Sequence, residues 1–180
     1  MVQLYGKPTA GSLGGLATLD DSQTDSDVSG TDFFWFRPYQ NVHYYPYGWP
    51  EGIEIDLVGT KFAVTPGASV VPLLPSGPPN ATLVFSNGLL SPSPLSKDVQ
   101  ISTTNVVTNT PADTSFKLTI TAAKGTISGD FTHTNGTKPK FSGIILQKGA
   151  NREAFGFFLT VQPKPITGLG ESGAVSLSHK

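Results

Sequence analysis

The chain has no cysteine. That excludes disulfides, thiolate nucleophiles and cysteine-ligated zinc. Charge is scarce as well: 14% of residues are Asp, Glu, Lys or Arg, against about 25% in average proteins. The 12 basic residues are scattered and the formal net charge is -1. Phosphate backbones call for clustered Lys and Arg, so nucleic acid is not an expected partner. No apolar run approaches the ~18 residues of a membrane helix, and no membrane span is expected. The opening "MVQLYGKPTAG" lacks the charged and apolar regions of a secretion signal. G-x-S-x-G, P-loop and G-x-G-x-x-G patterns are missing. "GLGESG", Gly168 to Gly173, precedes a strand pattern rather than a helix, so it offers phosphate no helix N-terminus. No stretch sustains the i, i+3, i+4, i+7 apolar spacing of a helix.

What is present points to short strands and turns. Gly and Pro together make up 35 of 180 residues, well above the usual ~12%. Period-2 alternation recurs. In "SFKLTITAAKGTISGDFTH", Phe116, Leu118 and Ile120 share one face, "AAKG" turns, and Ile127 and Phe131 return with Gly129 between them. Asn135-Gly136 is the strongest short turn signal in the chain. "KFSGIILQK", a turn at Asn151 to Glu153, "AFGFFLTV" and "SGAVSLSH" complete five antiparallel strands over residues 115–179. In the first half, "GSLGGLATL", "SGTDFFWFRP", "GIEIDLVGTKFAV", "ATLVFSNGLL" and "DVQISTTNVVTN" read as strands. "VVPLLPSGPPN" reads as a loop or edge, because proline cannot donate to a ladder. Ser-Gly steps at Ser29-Gly30, Ser128-Gly129, Ser142-Gly143 and Ser172-Gly173 predict bulges or bends that curl a sheet.

The expected fold is a single all-β domain over residues 1–180: an antiparallel up-and-down β-barrel or strongly coiled sheet of about 9–11 strands, with a β-sandwich as the alternative. Its core is expected to draw on Leu118, Ile120, Ile127, Phe131, Phe141, Ile145, Phe155, Phe157, Leu159 and Val175. The sequons at Asn80 and Asn135 read as turn residues. Edge strands remain free to pair between chains.

The segments "SLGGLATLDDSQTDSDVSGTDFFWFRP", "YYPYGWPEGIEIDLVGTKF", "ATLVFSNGLL", "GTISGDFTHTNGTKPKFSGIILQK" and "AFGFFLT…GESGAVSLS", in that order, resemble the C-terminal β-rich domains of large secreted or cell-surface repeat-containing proteins of environmental bacteria. The resemblance covers most of the chain and implies an all-β domain at the end of an extracellular protein. It implies no reaction and carries over no catalytic or ligand residue. The expectation that follows is a mature or excised domain of a longer extracellular or cell-surface protein.

Three side-chain groups invite a functional reading. The stretch from Phe33 to Pro50 holds nine of the chain's 18 aromatic residues. Trp35, Tyr39, Tyr44, Tyr45, Tyr47 and Trp49 are a candidate platform for sugar rings, since Tyr and Trp combine an apolar face with a polar tip. The competing reading is a strand buried on one face and covered on the other by a proline-stiffened loop. The connection "DDSQTDSD" supplies Asp20, Asp21, Asp25 and Asp27, oxygen ligands of the kind calcium takes. It lacks the glycine and distal glutamate of an EF-hand and reads otherwise as a solvated turn. His43, His133 and His179 lack metal-ligand spacing and read as surface residues. Glu54 and Asp56 share a strand face but do not oppose each other across a cleft, as glycoside chemistry requires. The functional expectation is therefore non-catalytic: a structural or interaction domain for adhesion or surface display, with a glycan or another surface protein as partner. The alternatives are a carbohydrate-binding module built on residues 33–50 and a barrel enclosing a small apolar ligand.

Overall fold

The computed structural model describes residues 2–6, 11–149, 153–164 and 168–180. They form an all-β protein of two sheets, with a 3-10 turn at Ala122–Lys124 and no α-helix among the described residues. The chain divides into two compact units. The sheet unit comprises Met1–Lys61 with Lys148–Ala150, and the barrel unit comprises Phe62–Gln147 with Asn151–Lys180.

The sheet unit is a four-stranded antiparallel meander: β1 (Val2–Gly6), β2 (Ser12–Leu19), β3 (Val28–Arg37) and β4 (Trp49–Gly59), in that order. Strand β1 lies beyond the strands read from the sequence. The register between β3 and β4 slips between Gly30 and Phe33, placing a bulge at the first Ser-Gly step as expected. Pairing across β2, β3 and β4 aligns Leu13, Trp35 and Ile53 in one row. Phe33 and Ile55 make the next.

The barrel unit is an eight-stranded antiparallel sheet nearly closed into a barrel. Its strands are β5 (Ala81–Asn87), β6 (Leu95–Ile101), β7 (Val107–Asn109), β8 (Phe116–Thr121), β9 (Thr126–Phe131), β10 (Lys140–Ile145), β11 (Ala154–Leu159) and β12 (Ser172–His179). Their order around the sheet is β7-β6-β5-β12-β11-β10-β9-β8. The five-strand meander of residues 115–179 is present as β8 to β12. The segment read as one strand, "DVQISTTNVVTN", is interrupted after Ile101 by a turn in which Asn105 adopts φ 65° and the Ser102 hydroxyl accepts the Thr104 and Val106 N–H groups. This split and β1 raise the number of described strands to 12, above the expected 9–11. The two ends of the sheet, β7 and β8, approach through Asn109, whose side-chain amide donates to the Phe116 carbonyl at 3.1 Å.

The core lies in the barrel unit. Phe85 stacks on Phe131 with centroids 3.9 Å apart, and the Phe141 and Phe158 rings meet Phe85 edge-on. Leu118, Ile127, Phe131, Phe141, Ile145 and Val175 are buried as expected, and Ile120 packs against them. Strand β11 is a correction. Ala154 and Phe158 point inward, while Phe155, Phe157 and Leu159 point outward and are exposed. The apolar outer row looks more core-like in sequence, but a one-residue offset reverses every side chain of a strand. Large rings on neighbouring strands decide the offset. The Phe158 ring occupies the space a Cβ at Gly173 would need, and the Phe141 ring lies 2.7 Å from a Cβ built at Gly129. Those two Ser-Gly steps keep regular register. Their glycines therefore make room for rings inside the barrel rather than forming bulges.

His133, expected at the surface, is buried beside Phe131 and Phe158. It is tolerated there because both ring nitrogens are used. Nδ1 accepts the Asn135 N–H at 3.1 Å, leaving Nε2 to donate to the Gly88 carbonyl at 2.9 Å. Asn80 is buried too, bonding both the N–H and the carbonyl of Ile101, so this sequon serves structure. The sequon at Asn135 forms the expected turn, with Gly136 at φ 82°.

Candidate binding surfaces

The aromatic stretch separates into two groups by exposure. Strand β3 turns Phe33 and Trp35 to one face and Phe34 and Phe36 to the other. The loop after it is tied back on itself. Gln40 N–H donates to the Pro46 carbonyl at 2.8 Å, Gly48 N–H to Tyr45 at 3.1 Å, and the Arg37 guanidinium to the Tyr44 carbonyl at 3.1 Å. This loop returns Trp49 edge-on to Trp35, with centroids 4.6 Å apart. Tyr45 meets Trp49 at 6.1 Å, and the Arg37 guanidinium lies 5.5 Å over the Trp49 ring. Trp35, Trp49 and Tyr44 are half-buried, with Tyr44 against His43. These rings pack on one another.

Tyr39 and Tyr47 differ. They are 66% and 75% exposed, and their ring centroids lie 6.3 Å apart. The prolines and the loop's backbone hydrogen bonds hold the pair in place with little side-chain support. Phe34 and Phe36 form a second exposed pair, stacked at 6.4 Å on the other face of β3. The expectation that β3 is covered on both faces therefore holds on the Phe33 and Trp35 side, while Phe34 and Phe36 stay open.

The acidic connection forms a depression lined by Asp20, Asp21, Asp27 and Lys61. Asp20 is closed on its own turn. It accepts from the Ser22 N–H and hydroxyl and from the Gln23 amide. The Gln23 hydrogen bond, followed by those from Ser22, holds its carboxyl down at about 2. Asp27 accepts the Lys148 ammonium at 2.7 Å and the Lys61 N–H at 2.6 Å. Its carboxyl is lowered as well, chiefly by Lys148. The same ammonium donates to the Asp21 carbonyl at 2.7 Å. A lysine of the chain itself thus pairs with Asp27 and the Asp21 carbonyl at this connection. The Asp25 backbone carbonyl lies against Gly149.

No family model, curated protein or solved structure matches the chain.

In the barrel unit, a cleft of about 620 Å3 between residues 67–77 and 100–103 has neither a charged nor an aromatic side chain in its lining. Another depression, about 590 Å3, lies on the outer face of β9, β10 and β11 and includes Phe155 and Phe157. Sequence reasoning placed these two rings in the core and so missed this surface. The available signal was Gly156 within Ala154-Gly156-Phe158, a row whose small residues suit the crowded side of a strand. Among the described residues, no three His, Asp or Glu side chains converge as metal ligands.

Proposed function

We propose that this chain is a non-catalytic interaction domain, working in adhesion or surface display outside a bacterial cell. The observation that carries the reading is the sheet unit's exposure. Phe34 and Phe36 stand open together on one face of β3, Tyr39 and Tyr47 stand open together on its loop, and Leu16, Leu19, Ile53 and Val58 are further exposed side chains of the same small sheet. Exposed apolar groups gathered in this way mark recognition surfaces more often than scattered single residues do. The uncharged lining of the 620 Å3 cleft also favours binding over acid–base chemistry. The likeness of the strand and turn segments to C-terminal domains of secreted repeat proteins supports the extracellular setting.

A second reading, a carbohydrate-binding module, is favoured by Tyr39 and Tyr47, two exposed rings on a braced loop. Their phenol tips suit a wet site. Trp35 and Trp49 support the loop in this reading and do not touch the ligand. The test measures retention on insoluble polysaccharides together with turnover on glycan and ester substrates. Turnover would sink the non-catalytic reading. Retention by the parent, lost in Tyr39→Ala/Tyr47→Ala, is expected of the carbohydrate reading; the same retention in both proteins would remove it. The four-ring core of the barrel leaves the enclosed-ligand reading without support.

A further inference from the structure

The sheet unit ends in a strand with one free side. Strand β4, Trp49–Gly59, is the last of the four, and among the described residues β3 is the only strand that pairs with it. A terminal strand leaves a row of N–H and C=O groups unpaired, and an added strand can use them. Pro50 has no N–H to offer, and Gly52, at φ 84°, interrupts the regular geometry at the start of β4. Beyond them the strand is regular. The slip in register places Thr31 and Asp32 of β3 opposite Asp56, so the extra residue belongs to β3 and β4 alternates without interruption over residues 53–58. On one face Glu54 lies opposite Phe34, with Asp56 two residues on. On the other, Ile53, Ile55 and Leu57 lie opposite Trp35, Phe33 and Gly30. The edge therefore presents an acidic row and an apolar row.

Charge and alternation select the occupant. Glu54 and Asp56 are exposed and, among the described residues, enter no ion pair. Asp32 adds a third exposed carboxylate. The described cations of the unit are engaged elsewhere. The Arg37 guanidinium donates to the Tyr44 carbonyl, Lys148 pairs with Asp27, and the Lys61 charge acts on Asp27. A second β4 laid antiparallel on the first would set acidic row against acidic row, and like charges directly opposite are destabilising. The carboxylates that keep copies of this edge apart favour a basic strand. Their spacing sets the rest, with Lys or Arg at alternate positions and apolar residues between them to meet Ile53, Ile55 and Leu57. We infer that β4 takes an extended segment of a partner protein as a fifth strand, a segment in which Lys or Arg alternates with apolar residues. Main-chain hydrogen bonds to the edge supply affinity, and Glu54 and Asp56 set the choice of partner. The inference goes beyond the exposed rings that carry the interaction-domain reading and does not depend on them.

The experiment is fluorescence anisotropy of the whole chain with a short labelled peptide of alternating Lys and Val. Two peptides serve as comparisons: alternating Glu and Val, and Lys and Val in separate blocks. Binding of the alternating Lys peptide is expected, weakened by salt, with amide hydrogen exchange slowed over residues 53–58. Glu54→Lys/Asp56→Lys is expected to weaken it by roughly tenfold or more and to confer binding of the Glu peptide. Tyr39→Ala/Tyr47→Ala should leave it in place. Both carboxylates are exposed, so an unchanged melting temperature verifies the fold of the reversed variant; where that temperature falls, Glu54→Gln/Asp56→Asn removes the charge at nearly constant shape and should also weaken binding. Four results overturn the inference: no binding of the alternating Lys peptide, equal binding of the block peptide, binding that survives the charge reversal, or slowed exchange on β1 in place of β4. Concentration-dependent self-association of the parent that slows exchange over residues 53–58 would assign the edge to a second copy and overturn it as well.

Discussion

The two units use the same materials to opposite ends. Both are antiparallel sheets rich in Phe, Ser, Thr and Gly. In the barrel unit the phenylalanines interlock, and every residue of the clustered core belongs to it. In the sheet unit only Ala17 and Phe33 are buried among the described hydrophobic side chains. Near closure explains the difference. A sheet that curls on itself gives its inner face a partner, and eight strands leave an interior that side chains can fill. A four-stranded sheet has no inside of its own, so alternation leaves apolar groups in the open. Burial and exposure are thus unequally shared: the barrel unit holds the core, and the sheet unit holds most of the exposed aromatic surface.

This contrast can be tested by substitution. The largest effect should come from Phe131→Ala, which removes a ring stacked in the core and is expected to cost about 3–5 kcal/mol in urea unfolding. Phe34→Ala in the sheet unit should stay within about 0.5 kcal/mol; comparable losses at the two positions would erase the distinction. Next is Gly173→Ala, where the added methyl would overlap the Phe158 ring, and a loss of about 1–3 kcal/mol is expected. Acid should act on both units. Asp113 is held down at about 2, first by the Lys97 hydrogen bond and then by Ser115; Asp20 stands at a similar value. Asp27 and Asp98 are lowered by Lys148 and Lys180. A carboxyl depressed in the folded state stabilises above its unfolded value of 3.8, and that contribution is lost as pH falls towards about 2. The urea midpoint should therefore hold down to about pH 4 and drop below it. The smallest effect should be Lys148→Met. It breaks an exposed ion pair, so the urea midpoint should barely move, and it should also raise the Asp27 carboxyl, which an NMR titration would register.

The sequence announced the strands more clearly than their faces. Strands β8 to β12 were legible because turn residues punctuate clean alternation, with Gly125 and Gly136 at positive φ where the chain reverses. Strand β11 was misread because the more apolar of its two rows faces out. What selects the inner row is space created by Gly173 on the next strand, a relation across strands that one sequence does not display. His133 was misjudged for a similar reason, since its acceptor at Gly88 lies 45 residues away. The Tyr-rich loop was legible as a loop. Which of its rings pack and which stand open depends on how Trp49 returns to Trp35. The division into two units had no local signal, because strand grammar runs through both without a change of composition.

The position of β12 has a consequence for how the barrel comes together. Strand β5 pairs with β6 on one side and with β12 on the other, and β12 in turn pairs with β11. As a ribosome delivers the chain, the β5–β7 segment emerges first and the β8–β11 segment next. No ladder joins them until the residues from Ser172 onward arrive. Val175 must then meet Phe85, 90 positions earlier in the chain, a distant contact of the kind that slows folding. Until that moment the ring cluster is divided, with Phe85 on one fragment and Phe131, Phe141 and Phe158 on the other. The last strand made acts as the keystone, and a nascent barrel that stalls before it leaves both halves of its core open to other chains.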